Sequence, residues 1–281
     1  MGNALFIVWR ESIEAILVVG ILYAWIRERG DAGIGLRHLF GGVALGISLA
    51  ALLALAILSV QTQLAGTALD AFQVAIVFIA AGLIVQMVFW MRRHSRQLKH
   101  KLEAGLQRAA AGRSGWAAAL LAAVAVAREG SETVLFLYGL AMERSGSELG
   151  SMFAGALAGL MLALASAWLF EKARRFVSWR AFFKITEALL LLLGAALIAG
   201  GVEKLIALQW LPALIETLWD TSFVLDEASA LGSLLAAFAG YRAQPSLLLA
   251  ICYGAYWVAV WLLSHLPGVG GRSPTAKPNP V

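Results

Sequence analysis

The amino-acid sequence predicts an all-α polytopic membrane protein with seven transmembrane helices. They form an inverted repeat of three plus three helices followed by one C-terminal helix, with the N-terminus outside. Three observations carry this prediction. Of the 281 residues, 60% are hydrophobic and only 14% charged, the balance of a multi-spanning helical membrane protein. Seven apolar runs reach roughly the 20 residues that cross a bilayer. Two of those runs carry the same charged motif, Arg-Glu-x-x-Glu, at corresponding places.

The first run, 4–26, holds Arg10-Glu11-Ser12-Ile13-Glu14. It has no basic leader, carries charges in its apolar core and lacks a small-residue cleavage site, so it reads as a mature helix and not a signal peptide. A charged turn (27–38) leads to the second run, 39–60, with the close-packing pair Gly42-xxx-Gly46. The third run is 71–91, and a basic loop follows it, 92–115. The fourth, 116–142, holds Arg128-Glu129-Gly130-Ser131-Glu132, and the fifth, 149–170, carries Gly155-xxx-Gly159. After a basic turn comes the sixth, 181–202, with Glu187. The segment 203–245 is an outer loop whose apolar stretch 228–239 is too short to span, which predicts an interfacial or re-entrant piece. The seventh run is 246–266, and the Pro- and Gly-rich tail 267–281 is expected to be disordered and cytoplasmic. Residues 1–266 thus form a single transmembrane domain, with repeats at about 4–91 and 116–202.

Alternate connections, counted with Lys184 at the start of the sixth run, carry 17 Lys and Arg residues on one side against 3 on the other, which sets the N-terminus outside and the tail in the cytoplasm. The basic loops are therefore a topology signal, and the net charge of +5 is no argument for nucleic acid. Arg10 precedes Arg128 by 118 residues, Gly42 precedes Gly155 by 113 and Gln73 precedes Glu187 by 114. Each unit has an odd number of spans, so the second copy enters the membrane from the opposite side. Inverted repeats of this kind place a transport site near the midplane, where the repeats meet.

The motifs carry the chemistry. Residues three and four apart share a helix face, so Glu11 and Glu14 point one way, as do Glu129 and Glu132. A charge at bilayer depth costs about 2.5–3.5 kcal/mol even on mild insertion scales, an expense that merely spanning a membrane does not require. One reading is an ion-paired lock between two helices. The other is a polar pathway: four carboxylates against Arg10 and Arg128 leave an oxygen-rich site of formal charge −2, suited to a hard di- or trivalent cation. Ser12 and Ser131 are weak extra ligands, or bond their own backbone. Gln73, Gln86 and Glu187 are further candidates for the path, with hydrogen bonding between packed helices as the alternative for the two Gln. Trp90 and Trp116 read as interface anchors. The four His fall in loops or at span ends, and the single Cys252 excludes a disulfide framework or thiolate site. Neither a zinc-protease motif nor a phosphate-binding loop is present. A retinal receptor would need a lysine in the seventh run, which has none, and an intramembrane acid–base enzyme lacks a nucleophile or His dyad beside the carboxylates.

Seven runs with Arg-Glu-x-x-Glu in the first and fourth resemble the oxidase-dependent iron permease family, which includes fungal high-affinity and bacterial ferrous-iron permeases. Phe89-Trp90-Met91-Arg92-Arg93 followed by Ser95-Arg96, then Val126-Ala127-Arg128-Glu129, and Gly240-Tyr241-Arg242-Ala243 with Pro245 read like bacterial members. The resemblance implies that Glu11, Glu14, Glu129 and Glu132 ligate iron on its way through the inner membrane. Iron is then the transported substrate, with no permanently bound cofactor. It also implies a periplasmic iron-binding or iron-oxidising partner, and it is compatible with a homo-oligomer. The fungal motif has Gly-Leu between its glutamates, where this chain has Ser12-Ile13 and Gly130-Ser131. Fungal members carry Asp-Ala-Ser-Glu in the last outer loop, where this chain has Asp226-Glu227-Ala228-Ser229. Lead-uptake relatives share the core motif, so another heavy divalent cation is the alternative cargo. Asp220, Asp226 and Glu227 are expected to gather cations at the outer mouth, where a local excess of acids raises cation concentration.

Overall fold

Lipid leaves no unpaired backbone group satisfied, so an open chain crosses it as helix. The computed structural model describes residues 2–28, 32–94, 116–142, 149–172 and 179–265, and the helices among them account for all regular structure there. They are α1 (Gly2–Glu28), α2 (Ala32–Gln63), α3 (Thr67–His94), α4 (Trp116–Met142), α5 (Leu149–Lys172), α6 (Trp179–Ala207), the short α7 (Ala230–Ala239) and α8 (Leu247–His265). The first six predicted apolar runs lie within helices, several of which continue beyond them, and α8 takes up 247–265 of the seventh, whose residue 266 lies outside the described residues. Hydropathy marks the part that faces lipid, whereas backbone hydrogen bonding continues through polar flanks: α2 runs on to Gln63, and Gly66, at φ 57°, turns the chain into α3. The basic loop after α3 (95–115) and the tail from residue 266 lie outside the described residues.

Among the described residues five helices, α2, α3, α5, α6 and α8, are long and apolar enough to cross a membrane. Helices α1 and α4 have 27 residues each, about 40 Å at 1.5 Å per residue, and differ in carrying three motif charges midway. Large apolar side chains project outward along α2 (Leu45, Leu52, Leu55) and α5 (Phe153, Leu157, Met161), which is the face a lipid environment favours.

Helix α2 packs on α4, α5 on α1, α1 on α4, and α3 on α6. Small residues allow the first two contacts. A Cβ on Gly46 would lie 2.8 Å from the Ala123 carbonyl oxygen and 2.9 Å from the Ala127 nitrogen. One on Gly42 would collide with the Ala119 carbonyl. These pairs ascend together, so α2 and α4 run in the same direction. On α5, a Cβ at Gly159 would collide with the Leu5 carbonyl and lie 3.0 Å from the Trp9 nitrogen. Leu5 and Trp9 precede Ala123 and Ala127 by the same 118 residues that separate the two motifs. In contrast, α3 and α6 run antiparallel, as Gln73 meets Lys204 and Ile84 meets Gly194.

We expect Gly46→Val and Gly159→Val each to lower the thermal midpoint in detergent markedly, because backbone cannot yield as a side chain does. Overpacking costs about 1–3 kcal/mol even where side chains can move. An unchanged midpoint in either would show that these contacts are loose.

The short helix α7 forms in the apolar stretch 228–239 that was read as too short to span. Ser229 caps its start by accepting the Gly232 N–H at 3.0 Å, and Gly240, at φ 67°, ends it against Ala196 and Ala199 in the interior of α6. Asn3 of α1 donates to the Ala237 carbonyl at 2.8 Å, and Tyr253 of α8 to that of Ala239 at 2.8 Å. Its ten residues cover about 15 Å, half a hydrocarbon core.

Candidate metal centre

Helices α1 and α4 bring the two motifs together. Carboxylate oxygens of Glu11, Glu14 and Glu129 lie within 4.8 Å of one another, and no other such group of three occurs among the described residues. Oxygen ligands sit about 2.0–2.6 Å from a hard cation, so oxygens on opposite sides of one ion are separated by up to about 5 Å. The three carboxylates therefore need little movement to share an ion. Glu11 Oε2, Glu129 Oε2 and Glu132 Oε2 are buried without a hydrogen-bond partner, the condition a cation would relieve.

The two arginines are held differently. Arg10 is 1% exposed. Its Nη1 donates to Glu11 at 2.7 Å and to the Met87 sulfur at 3.4 Å, while Nη2 pairs with Glu14 and reaches the Met91 sulfur at 3.6 Å. Arg128 is 34% exposed, 3.0 Å from Glu132, 4.0 Å from Glu129, and stacked 4.1 Å over the Trp90 ring. Glu132 thus stands beside the three-carboxylate group, held by Arg128. A cavity of ≈ 260 Å³ opens here, lined by Leu83, Gln86, Met87, Trp90, Arg128 and Glu132.

The remaining predicted residues are placed as follows. Ser131 donates to the Arg128 carbonyl at 2.8 Å, and Ser12 is partly buried on α1. Gly130 admits Ala50 of α2, whose Cβ would lie 2.6 Å from any Cβ there. Glu187 pairs with Arg92, and Gln73 accepts from Lys204 at 2.5 Å, contacts at opposite ends of the α3–α6 pair. In the segment 203–245, Asp220 accepts from Ser222 and from Gln244 Nε2, and the Ser222 hydrogen bonds hold its carboxyl below the usual range. Asp226 accepts the Ala228 N–H at 2.9 Å, and Glu227 the Ala243 N–H at 2.6 Å. Arg242 grips Glu203 through two hydrogen bonds, at 2.5 and 2.7 Å.

Trp116 is exposed, as an anchor should be, but Trp90 is not simply an interface residue, because its ring carries Arg128. Met87 and Met91 were also missed as partners of Arg10. Their spacing with Leu83 and Trp90 puts all four on one face of α3, the one signal in the sequence that marks this face for a common neighbour.

Long apolar helices around buried, partly unsatisfied carboxylates define a multi-pass membrane protein of the transporter class. The Iron permease FTR1 family matches residues 1–266, and the chain belongs to that family. It is 30% identical over 269 residues to the "Ferrous iron permease EfeU" of Escherichia coli O6:K15:H31 (strain 536 / UPEC), covering 94% of this chain and 92% of that protein. The proteins of the same name from Shigella sonnei (strain Ss046) and Yersinia pestis are also 30% identical over 269 residues. They cover 94% and 93% of this chain, and 92% of each relative. No solved structure matches the chain.

Proposed function

We propose that this chain imports iron, as the ferrous ion, with high affinity across the cytoplasmic membrane, and that the ion passes through the carboxylates of the two Arg-Glu-x-x-Glu motifs. The observation that carries the reading is the convergence of Glu11, Glu14 and Glu129 within 4.8 Å, with buried oxygens left unpaired. In this reading three carboxylates ligate the ion, Glu132 hands it on, and the arginines balance charge when the site is empty. The membrane frame is seven spanning helices, with α7 re-entrant, the N-terminus periplasmic and the C-terminus cytoplasmic. Two observations support an inverted repeat within it: α2 on α4 mirrors α5 on α1, and Gly46 and Gly159 meet residues equivalent by the motif offset. A periplasmic iron-binding or iron-oxidising protein delivers the ion to the outer segment that holds Asp220, Asp226 and Glu227.

Reconstituted into liposomes with a ferrous-sensitive dye inside, the purified protein should carry Fe²⁺ inward down its gradient, faster with the interior negative. Liposomes no more permeable to Fe²⁺ than protein-free ones would rule the proposal out. A comparable rate for Pb²⁺ would broaden the cargo to heavy divalent cations.

A further inference from the structure

The motifs are alike in sequence, yet their arginines are held in unlike ways, and the difference lies in α3. Arg10 is held by two carboxylates and two thioethers, is 1% exposed and does not line the cavity. Arg128 borders a cavity and makes two contacts at once: its Nε lies 3.0 Å from the Glu132 carboxylate, and its guanidinium carbon 4.1 Å over the indole face of Trp90, which would still hold it if Glu132 were released. We propose that Trp90 is a positioning residue of the transport path, holding Arg128 as a movable counterion between the cavity and the three-carboxylate group.

The physical argument starts from charge. A cation drawn toward Glu132 meets a guanidinium already there, and two positive charges cannot share one carboxylate at low dielectric without large repulsion. Arg128 must release Glu132, yet a guanidinium without any partner is costly at this depth. The indole face is a neutral seat that attracts a cation without competing for it as an anion would, contributing about 0.5–2 kcal/mol. At ≈ 260 Å³ the cavity has room for a divalent cation with part of its water shell, at about 30 Å³ per water. Glu132, buried and with Oε2 unpartnered, is the carboxylate lining it. Arg10 then serves as the fixed charge and Arg128 as the one that yields.

This inference rests on the carboxylate site proposed above, and a double-mutant cycle on Fe²⁺ binding separates the two. The protein is held in lipid nanodiscs under anaerobic, reducing conditions. Trp90→Leu should weaken Fe²⁺ binding about three- to thirtyfold, the range that cation–π attraction sets, whereas Trp90→Phe, which keeps a π face, should lose less. In an Arg128→Gln background the same Trp90→Leu change should shift affinity less than about twofold, because the group it acts through is gone. If Trp90→Leu fails to assemble, Trp90→Met removes the π face with a flexible side chain and completes the cycle. Equal losses in both backgrounds would reduce Trp90 to a packing role and overturn the proposal, as would unchanged affinity in the single variants. An unsubstituted protein that binds no Fe²⁺ would overturn the carboxylate site itself, and this proposal with it.

Discussion

Glu129→Gln is expected to cut the initial rate of iron uptake by at least thirtyfold while leaving the amount of folded protein in the membrane unchanged. Both halves follow from how Glu129 is held. Its nearest cationic neighbour is Arg128, whose Nε is 4.0 Å away, so neutralising Glu129 breaks no strong pair. It also relieves repulsion with Glu11 and Glu14, whose oxygens lie within 4.8 Å of its own. The structural penalty is therefore small. For a bound cation the loss is large, because removing one partner of a buried charge contact costs roughly 2–5 kcal/mol. That corresponds to about thirtyfold to several thousandfold in affinity. Glutamine keeps the shape and one carbonyl oxygen, so the effect isolates charge. Uptake would be measured with radioactive iron in cells lacking other importers, and protein amount by fluorescence-detected size exclusion. Uptake within threefold of the parent would remove Glu129 from the path. Loss of folded protein would instead favour the motifs as a structural lock between α1 and α4.

Arg10→Gln should have the opposite signature, a failure of folding before any failure of transport. Arg10 is among the largest fully buried side chains, and it neutralises Glu11 and Glu14 together. Taking away one member of a buried ion pair leaves an uncompensated charge and costs about 3–5 kcal/mol. A large fall in thermal midpoint and a several-fold drop in membrane level are expected. Arg10→Lys should recover only part of this, since a lysine cannot serve two carboxylates with a planar fork. Arg128→Gln should be markedly milder in stability, because Arg128 is one-third exposed and its partner Glu132 borders a cavity that water can enter. Equal destabilisation by Arg10→Gln and Arg128→Gln would mean that exposure does not separate the two arginines.

Taken alone, the sequence determined the class of fold and the residues of the candidate site. Apolar runs of spanning length are local signals, and their helical form is forced by the need to satisfy backbone groups in lipid. The motif glutamates are legible for a related reason: at membrane depth a charge is too costly to be incidental, so Arg10, Glu11, Glu14, Arg128, Glu129 and Glu132 stand out against their surroundings. The stretch at 228–239 was likewise legible as too short to span, and it forms α7. The two Gly-xxx-Gly pairs, Gly42-xxx-Gly46 and Gly155-xxx-Gly159, were legible as close-packing sites, since close backbone approach demands a residue without a side chain.

Only the tertiary structure decided how those charges are partnered. That Glu132 stands apart from Glu11, Glu14 and Glu129 depends on where Arg128 settles, and Arg128 settles on a ring from α3. That Asp220, Asp226 and Glu227 are tied into the segment 203–245 depends on Ser222, Ala228, Ala243 and Gln244 meeting them across a folded turn. The motif likewise makes Arg10 and Arg128 look alike in sequence, whereas packing buries one and leaves the other one-third exposed. The physical reason is common to all three. Transfer free energy is a property of a segment and can be read along the chain, but the partner of a buried charge is chosen by whichever helix arrives beside it.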